Sequence, residues 1–101
     1  MPVLFARFRV VDLVRWKAAF HDNEANRREH GLTVRAVYHD ATYVNGLVIV
    51  YDAEDIERGQ DFFQSDSQRA RMKATGLERP AELWTAEEFA AQDNPLLSAR
   101  T

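Results

Sequence analysis

Several features that would narrow the function are missing from this chain. It has no cysteine among its 101 residues, which excludes disulfides and thiolate chemistry and makes the cytoplasm the expected location. No apolar run approaches the roughly 20 residues that span a bilayer, and the N-terminus lacks the pattern of a signal peptide, so no membrane partner is expected. The net charge is −3 and no basic stripe is present, so nucleic acid is not an expected partner either. No His, Asp and Glu residues have the spacing of a zinc or iron site, and no metal is expected.

What the chain does have is a hydrophobic pattern typical of six elements, in the order strand, helix, strand, strand, helix, strand. The strands are predicted at residues 3–11, 32–39, roughly 43–51 and 81–86. The first helix is expected to start after Asp12 as N-cap and to stop at Gly31. The second is expected to start at Asp52 or Glu54, break near residues 65–67, resume to Met72 and stop at Gly76.

The third predicted strand is apolar on both faces. Side chains alternate along a strand, so Leu47, Ile49 and Tyr51 face one way while Val48 and Val50 face the other. Two helices can cover only one face of a small sheet. The second face is expected to be covered by a second copy of the chain, which predicts a homodimer.

The order of elements is that of a ferredoxin-like α+β fold, βαββαβ, with a four-stranded antiparallel sheet. In this topology the first and third strands are central, which agrees with the apolar third strand. We expect one domain over residues 1–89 and a C-terminal tail over residues 90–101.

Three stretches of the chain resemble the dimeric α/β-barrel superfamily, which includes antibiotic-biosynthesis monooxygenases and polyketide cyclases. They are residues 8–20, 55–65 and 71–76. The resemblance implies two four-stranded sheets packed face to face, with a small-molecule pocket between each sheet and its own helices. It implies a small enzyme of secondary metabolism, either a cyclase or a monooxygenase that uses no cofactor, acting on an aromatic or polyketide-derived substrate.

Two other functions occur in the same superfamily. One is a non-catalytic small-molecule-binding or stress-response dimer, and the other is a haem-handling protein with an axial histidine from a helix. Plant polyketide cyclases of the superfamily use a tyrosine on the second helix and a histidine a little after it. The matching positions here are Phe62 and Gln68, so a cyclase of this sequence would not use that pair.

The first helix carries the clearest candidate site. Its inward stripe runs from apolar Leu13, Trp16 and Phe20 to polar Asn23 and Arg27. A buried arginine needs an anion or several acceptors, so this stripe suits a planar substrate with a carboxylate or enolate oxygen. The alternative is a helix that emerges into solvent, with Arg27 paired to Glu24 or to a carboxylate of the partner chain.

Proton transfer is assigned to His39 at the end of the second strand, because imidazole titrates near neutral pH. Tyr38 and Tyr51 are expected to project on the same side as Ile49, where either hydroxyl could bind a substrate oxygen. The predicted catalytic residues are His39, Arg27 and Asn23. The predicted substrate-binding residues are Phe8, Trp16, Phe20, Tyr38, Tyr51, Phe62, Phe63 and Met72.

Overall fold

The part of the chain that the structure describes contains eight elements, which follow the predicted order with each helical region divided in two. The structure, a computed structural model, describes residues 2–77 and 81–87, so the predicted tail at 90–101 lies outside the described part. The elements are β1 (Val3–Arg9), α1 (Leu13–Asp22), α2 (Glu24–Glu29), β2 (Leu32–His39), β3 (Gly46–Ala53), α3 (Ile56–Gln64), α4 (Asp66–Ala74) and β4 (Glu82–Ala86).

The four strands form one antiparallel sheet in the order β2-β3-β1-β4. The first and third strands are central, as predicted. The described helices cover one face of this sheet, and the hydrophobic core lies between the helices and that face. Its largest fully buried side chains are Tyr51, Phe62, Leu4, Leu32, Ile49 and Val10.

The helix boundaries follow from short polar side chains and from glycine. Asp12 is the N-cap of α1, as predicted, and its carboxylate accepts hydrogen bonds from the backbone N–H groups of Val14 and Arg15. After α2 the chain turns at Gly31, whose φ of 74° lies in the left-handed region that favours glycine.

The start of α3 differs from the prediction. Its N-cap is Asp55, not Asp52 or Glu54, because β3 continues as far as Ala53. The predicted bounds of β3, 43–51, are therefore two to three residues too early. The predicted break at residues 65–67 is confirmed, since Ser65 ends α3 and caps α4.

A glycine allows α3 to lie close to the sheet. A Cβ atom built on Gly59 would lie 3.0 Å from the Cδ2 atom of Leu32 and 3.3 Å from the Cδ1 atom of Leu4. Such separations are tighter than ordinary packing, so the small residue permits the close approach. This approach brings Phe62 and Phe63 of the same helix into the core.

The predicted bounds of β2 are confirmed, but the predicted facing of the side chains in its second half was wrong. A register shift between Val34 and Ala36 places a β-bulge at Arg35 and resets the alternation of side chains. Beyond it Tyr38 is paired with Val48, on the face away from the helices, and His39 is paired with Leu47. Tyr38 and Tyr51 therefore lie on opposite faces of the sheet.

The face of the sheet away from the helices, called the open face below, carries both aromatic and charged residues. The rings of Phe5 and Trp84 are stacked with centroids 5.1 Å apart, and Val48 and Val50 occupy the central strand. Arg7 forms an ion pair with Glu82 at 3.3 Å. No described helix is long and apolar enough to cross a membrane, and the described residues contain no cluster of three potential metal ligands.

Candidate functional site

A small cavity of about 40 Å³ lies between the sheet and the helices. Its lining comes from β1, β3 and all four helices, with aromatic side chains as the largest group. The lining residues are Phe8, Trp16, Ala19, Phe20, Asn23, Arg27, Tyr51, Phe62, Phe63, Gln68, Arg71, Met72 and Thr75. Nine of the eleven residues predicted for the site are in this set.

The apolar part of the cavity is a series of ring contacts. Trp16 and Phe20, one helical turn apart on α1, are stacked with centroids 4.8 Å apart and an interplanar angle of 20°. Trp16 also contacts Phe8 of β1 at 5.8 Å, and Phe8 contacts Phe63 at 6.4 Å. Flat apolar walls of this kind suit a planar, hydrophobic ligand.

The polar part begins where α1 ends. The backbone N–H of Asn23 donates to the carbonyl oxygens of both Ala19 and Phe20, and a second short helix follows at once. Despite this break, the helical spacing continues from Trp16 and Phe20 to Asn23 and Arg27. All four therefore stay on the buried side, as the predicted stripe required.

Arg27 is the main charge in the cavity wall. It is only 4% exposed, and its Nη1 donates a 2.7 Å hydrogen bond to the carbonyl oxygen of Phe20. Its guanidinium carbon lies 3.8 Å from the centre of the Phe20 ring. Burial lowers the pKa of Arg27, and the neighbouring Tyr51 and Glu24 offset part of that effect. Arg27 forms no ion pair with a carboxylate of the described residues.

A buried amide pair connects the helix junction to α4. The Nδ2 atom of Asn23 donates to Oε1 of Gln68 at 3.1 Å, and both residues are less than a tenth exposed. The side-chain oxygen of Asn23 in turn accepts a hydrogen bond from Asn26. The two N–H groups of the Gln68 side-chain amide donate to no described residue and are available to a ligand or water.

Tyr51 brings a phenol hydroxyl to the same cavity from the centre of the sheet. The residue is 1% exposed, and its ring lies 5.7 Å from that of Phe63. Burial raises the pKa of Tyr51 well above its ordinary value, although the nearby positive charge of Arg27 opposes this. The hydroxyl therefore stays protonated at neutral pH, and it makes no hydrogen bond to any described residue.

The cavity wall combines positive charge with an absence of acids and bases. Two guanidinium groups, Arg27 and Arg71, are in the lining, whereas none of the described lining residues is a carboxylate or an imidazole. Such a wall can bind and stabilise an anion. Among these lining residues it offers no group that accepts a proton at neutral pH.

The two other predicted site residues lie elsewhere. His39 and Tyr38 are exposed at the far end of β2, and neither lines the cavity. The Nε2 atom of His39 is hydrogen-bonded to the carbonyl oxygen of Val44 in the loop that follows. His21 is exposed, and His30 is hydrogen-bonded to the carbonyl oxygen of Asn26.

Four lining residues were not among the predicted ones: Ala19, Gln68, Arg71 and Thr75. A signal for three of them exists in the sequence. Gln68, Met72 and Thr75 have the four- and three-residue spacing of one helix face, and Arg71 lies one position from it. A search for apolar periodicity does not find this stripe, because Gln68 and Thr75 are polar.

Comparison with known proteins gives structural matches only. No family model matches the sequence, and no curated protein matches it. A candidate antibiotic biosynthesis monooxygenase from Bordetella bronchiseptica is similar over 88% of this chain and 97% of its own, with a TM-score of 0.70 and 16% identity. A variant of SnoaB, a cofactor-independent oxygenase from Streptomyces nogalater, has a TM-score of 0.64 at 11% identity, covering 92% of this chain and 97% of that one.

A third match shows that the fold is shared more widely. An uncharacterized NIPSNAP domain protein from Burkholderia xenovorans has a TM-score of 0.63 at 14% identity, covering 93% of this chain and all of its own. Identities this low establish the fold and no more. The chain therefore has the predicted ferredoxin-like α+β fold, which it shares with these structures.

Proposed function

We propose that the cavity binds a planar aromatic anion. We also propose that the protein acts on it as a small enzyme of secondary metabolism, a cofactor-free monooxygenase or a cyclase. One observation carries the proposal: a buried guanidinium, Arg27, lies at the end of the Trp16–Phe20 stack without an ion pair to a described carboxylate. A buried positive charge is costly unless an anion or several acceptors compensate it. A ligand oxygen would provide that compensation.

The size of the cavity requires one wall to move. Ligand pockets usually measure about 300 Å³ or more, and 40 Å³ holds only a few water molecules. The best candidate for the mobile wall is α4, because Gln68 is its only buried residue. A shift of this helix would widen the cavity on the side of Gln68, Arg71 and Met72 and leave the aromatic stack in place.

The chemistry that this wall supports is stabilisation of an anion. A substrate with an acidic enol or phenol would release its proton to solvent, and Arg27 and Asn23 would hold the resulting oxygen. In the oxygenase reaction the enolate reduces O₂. A methylene group of the substrate becomes a carbonyl, one oxygen atom is retained and the other leaves as water. Tyr51 would donate a hydrogen bond, and His39, exposed and bound to a backbone carbonyl, has no part in this scheme.

A non-catalytic binding protein is the second candidate. The small cavity and the absence of a base among the described lining residues favour it. In that case the protein would bind the anion and release it unchanged. The two candidates share the binding step and differ only in turnover.

We also propose that the chain forms a homodimer through the open face of the sheet. Phe5 and Trp84 form a stacked aromatic pair there, and Trp84 and Tyr38 are 40% and 58% exposed. Val48 and Val50 lie on the same face in the central strand. Packing a second sheet on this face would remove Trp84, Tyr38 and the half-buried Val48 from water, and it would lie over Val50, which is already buried.

Binding can be tested with the fluorescence of Trp16, using a Trp84→Phe background so that Trp16 is the sole tryptophan. We expect 2-naphthoate to quench this fluorescence and its methyl ester to bind at least about tenfold more weakly, since the ester lacks the charge. Arg27→Met should remove the preference for the acid, while Arg28→Met, an exposed neighbour, should retain it. Equal affinity for acid and ester in the parent protein would refute the proposed site.

Turnover can then separate the two candidates. Anthrone is a suitable probe, because its enolate reacts with O₂ to give anthraquinone and water. Oxygen uptake above the spontaneous rate, lost in Arg27→Met and kept in Arg28→Met, would identify an oxygenase. Binding of 2-naphthoate without oxygen uptake or ring closure would favour the non-catalytic protein.

A further inference from the structure

Neither arginine of the cavity wall has an acidic partner among the described residues, which is also true of Arg9, Arg15 and Arg69 outside the cavity. Four described arginines form ion pairs with carboxylates: Arg7, Arg28, Arg35 and Arg58. Arg27 and Arg71, which line the cavity, form none with the described residues. Two positive charges thus border one cavity that has no acidic lining residue in the described part of the chain.

The two groups occupy different depths and belong to different helices. Arg27 of α2 is 4% exposed, whereas Arg71 of α4 is an exposed residue. One guanidinium therefore lies inside the protein and the other remains in contact with solvent. The aromatic residues of the lining provide the apolar surface between sheet and helices that a ring system would occupy.

We propose that the natural ligand is a planar aromatic molecule with two acidic groups. One acid would bind Arg27 in the interior, and the second would remain at the solvent side, where Arg71 pairs with it. An aromatic dicarboxylate, or a carboxylate with an ionised phenol at the other end of the ring system, has this chemistry. This inference rests on the proposed function and extends it, because a single acid would satisfy Arg27 alone.

The contribution of Arg71 should be small and sensitive to salt. Ion pairs between solvent-exposed groups are weak because the surrounding water has a high dielectric constant. We therefore expect Arg71 to raise the affinity for a two-acid ligand by about threefold. Salt at about 1 M shortens the Debye length to about 3 Å and should remove the gain. The interaction with Arg27 takes place in the interior and should be screened much less.

The test uses three probes of one shape: naphthalene-2,6-dicarboxylate, its monomethyl ester and its dimethyl ester. Affinities are measured by Trp16 fluorescence at about 10 mM ionic strength, where screening is weak. We expect Arg71→Gln to weaken the dicarboxylate about threefold and to leave the monoester unchanged. Arg69→Gln is the matched control, because Arg69 is exposed on the same helix and does not line the cavity.

The outcomes are distinct. An equal loss for dicarboxylate and monoester in Arg71→Gln would overturn the two-acid proposal, since Arg71 would then only shape the site. No loss for either ligand, or the same loss in Arg69→Gln, would overturn it as well and leave the single-anion site intact. If the monoester binds no better than the dimethyl ester, the proposed function itself fails, and the two-acid inference fails with it.

Discussion

Arg27 and Phe20 are joined twice, since the guanidinium donates a 2.7 Å hydrogen bond to the Phe20 carbonyl oxygen and lies 3.8 Å from the centre of the Phe20 ring. These two contacts fix the orientation of the charged group but satisfy only part of its hydrogen-bonding capacity. The remaining N–H groups make no hydrogen bond to another described residue. The folded protein thus keeps a positive group in place at a cost, as is typical of binding sites.

Removing that charge should stabilise the fold. In Arg27→Met the buried guanidinium is lost, and the Phe20 carbonyl keeps its hydrogen bond from the backbone N–H of Asn23. We expect a gain of about 1 kcal/mol, seen as a rise in melting temperature of about 4–8 °C. Arg28→Met, which breaks only an exposed pair with Glu24, should change the melting temperature far less. A lower melting temperature for Arg27→Met would contradict this reasoning.

Breaking the buried amide pair should have the opposite effect. Gln68→Leu leaves the Nδ2 group of Asn23 buried without its acceptor, which costs about 1–3 kcal/mol. Urea unfolding of the variant and the parent protein measures the difference. Gln64→Leu, an exposed change in α3, is the control and should alter stability by less than about 0.5 kcal/mol. Equal stability of Gln68→Leu and the parent would show that the pair contributes nothing.

The proposed dimer interface on the open face can be tested by introducing one charged side chain. Glutamate in place of Val48 would lie in the central strand at the middle of the proposed interface, beside Arg7, which already pairs with Glu82, and burying the added charge between two sheets is costly. We expect the parent protein to sediment as a dimer at micromolar concentration and Val48→Glu as a monomer. Val44→Glu, which changes an 80% exposed loop residue, should remain a dimer. A parent protein that sediments as a monomer would exclude the proposed assembly.

The buried phenol predicts a specific loss of stability at high pH. Burial raises the pKa of Tyr51 above its ordinary value near 10, so the folded state keeps this proton when the unfolded state has released it. Stability should therefore fall as the pH rises above about 10, by about 1.4 kcal/mol per pH unit for this residue alone. Urea unfolding of the parent and of Tyr51→Phe between about pH 9 and pH 11 isolates this contribution. Parallel curves for the two proteins would show that Tyr51 ionises normally.

Much of the site could be predicted because it lies on regular helix. Trp16, Phe20, Asn23 and Arg27 follow helical spacing, and this spacing survives the break at Asn23. The facing of the apolar residues of β1 and β3 could also be predicted, because both strands alternate without interruption. Periodicity locates a residue correctly as long as the element that carries it stays regular.

The failures occur where regularity ends. The bulge at Arg35 reverses the facing of every later residue in β2, and no glycine or other turn residue marks it in the sequence. Tyr38 was misplaced for this reason, whereas His39 pairs with Leu47 on the helix side and lies outside the cavity because it is the last residue of β2. The N-cap of α3 was misjudged because Asp52, Glu54 and Asp55 all fit the pattern, and only the pairing of Ala53 with Leu32 selects Asp55.

The same bulge divides β2 into two segments whose alternation of side chains is out of phase. Before it, the side chains of Leu32 and Val34 are tied to the packing of the helices. After it, Tyr38 is tied to whatever meets the other side of the sheet. Pairing every residue of β2 in turn, with no bulge, would turn the second segment over and exchange Tyr38 for Val37 on the outward side. One bulged residue thus decides which side chains of β2 the open face presents.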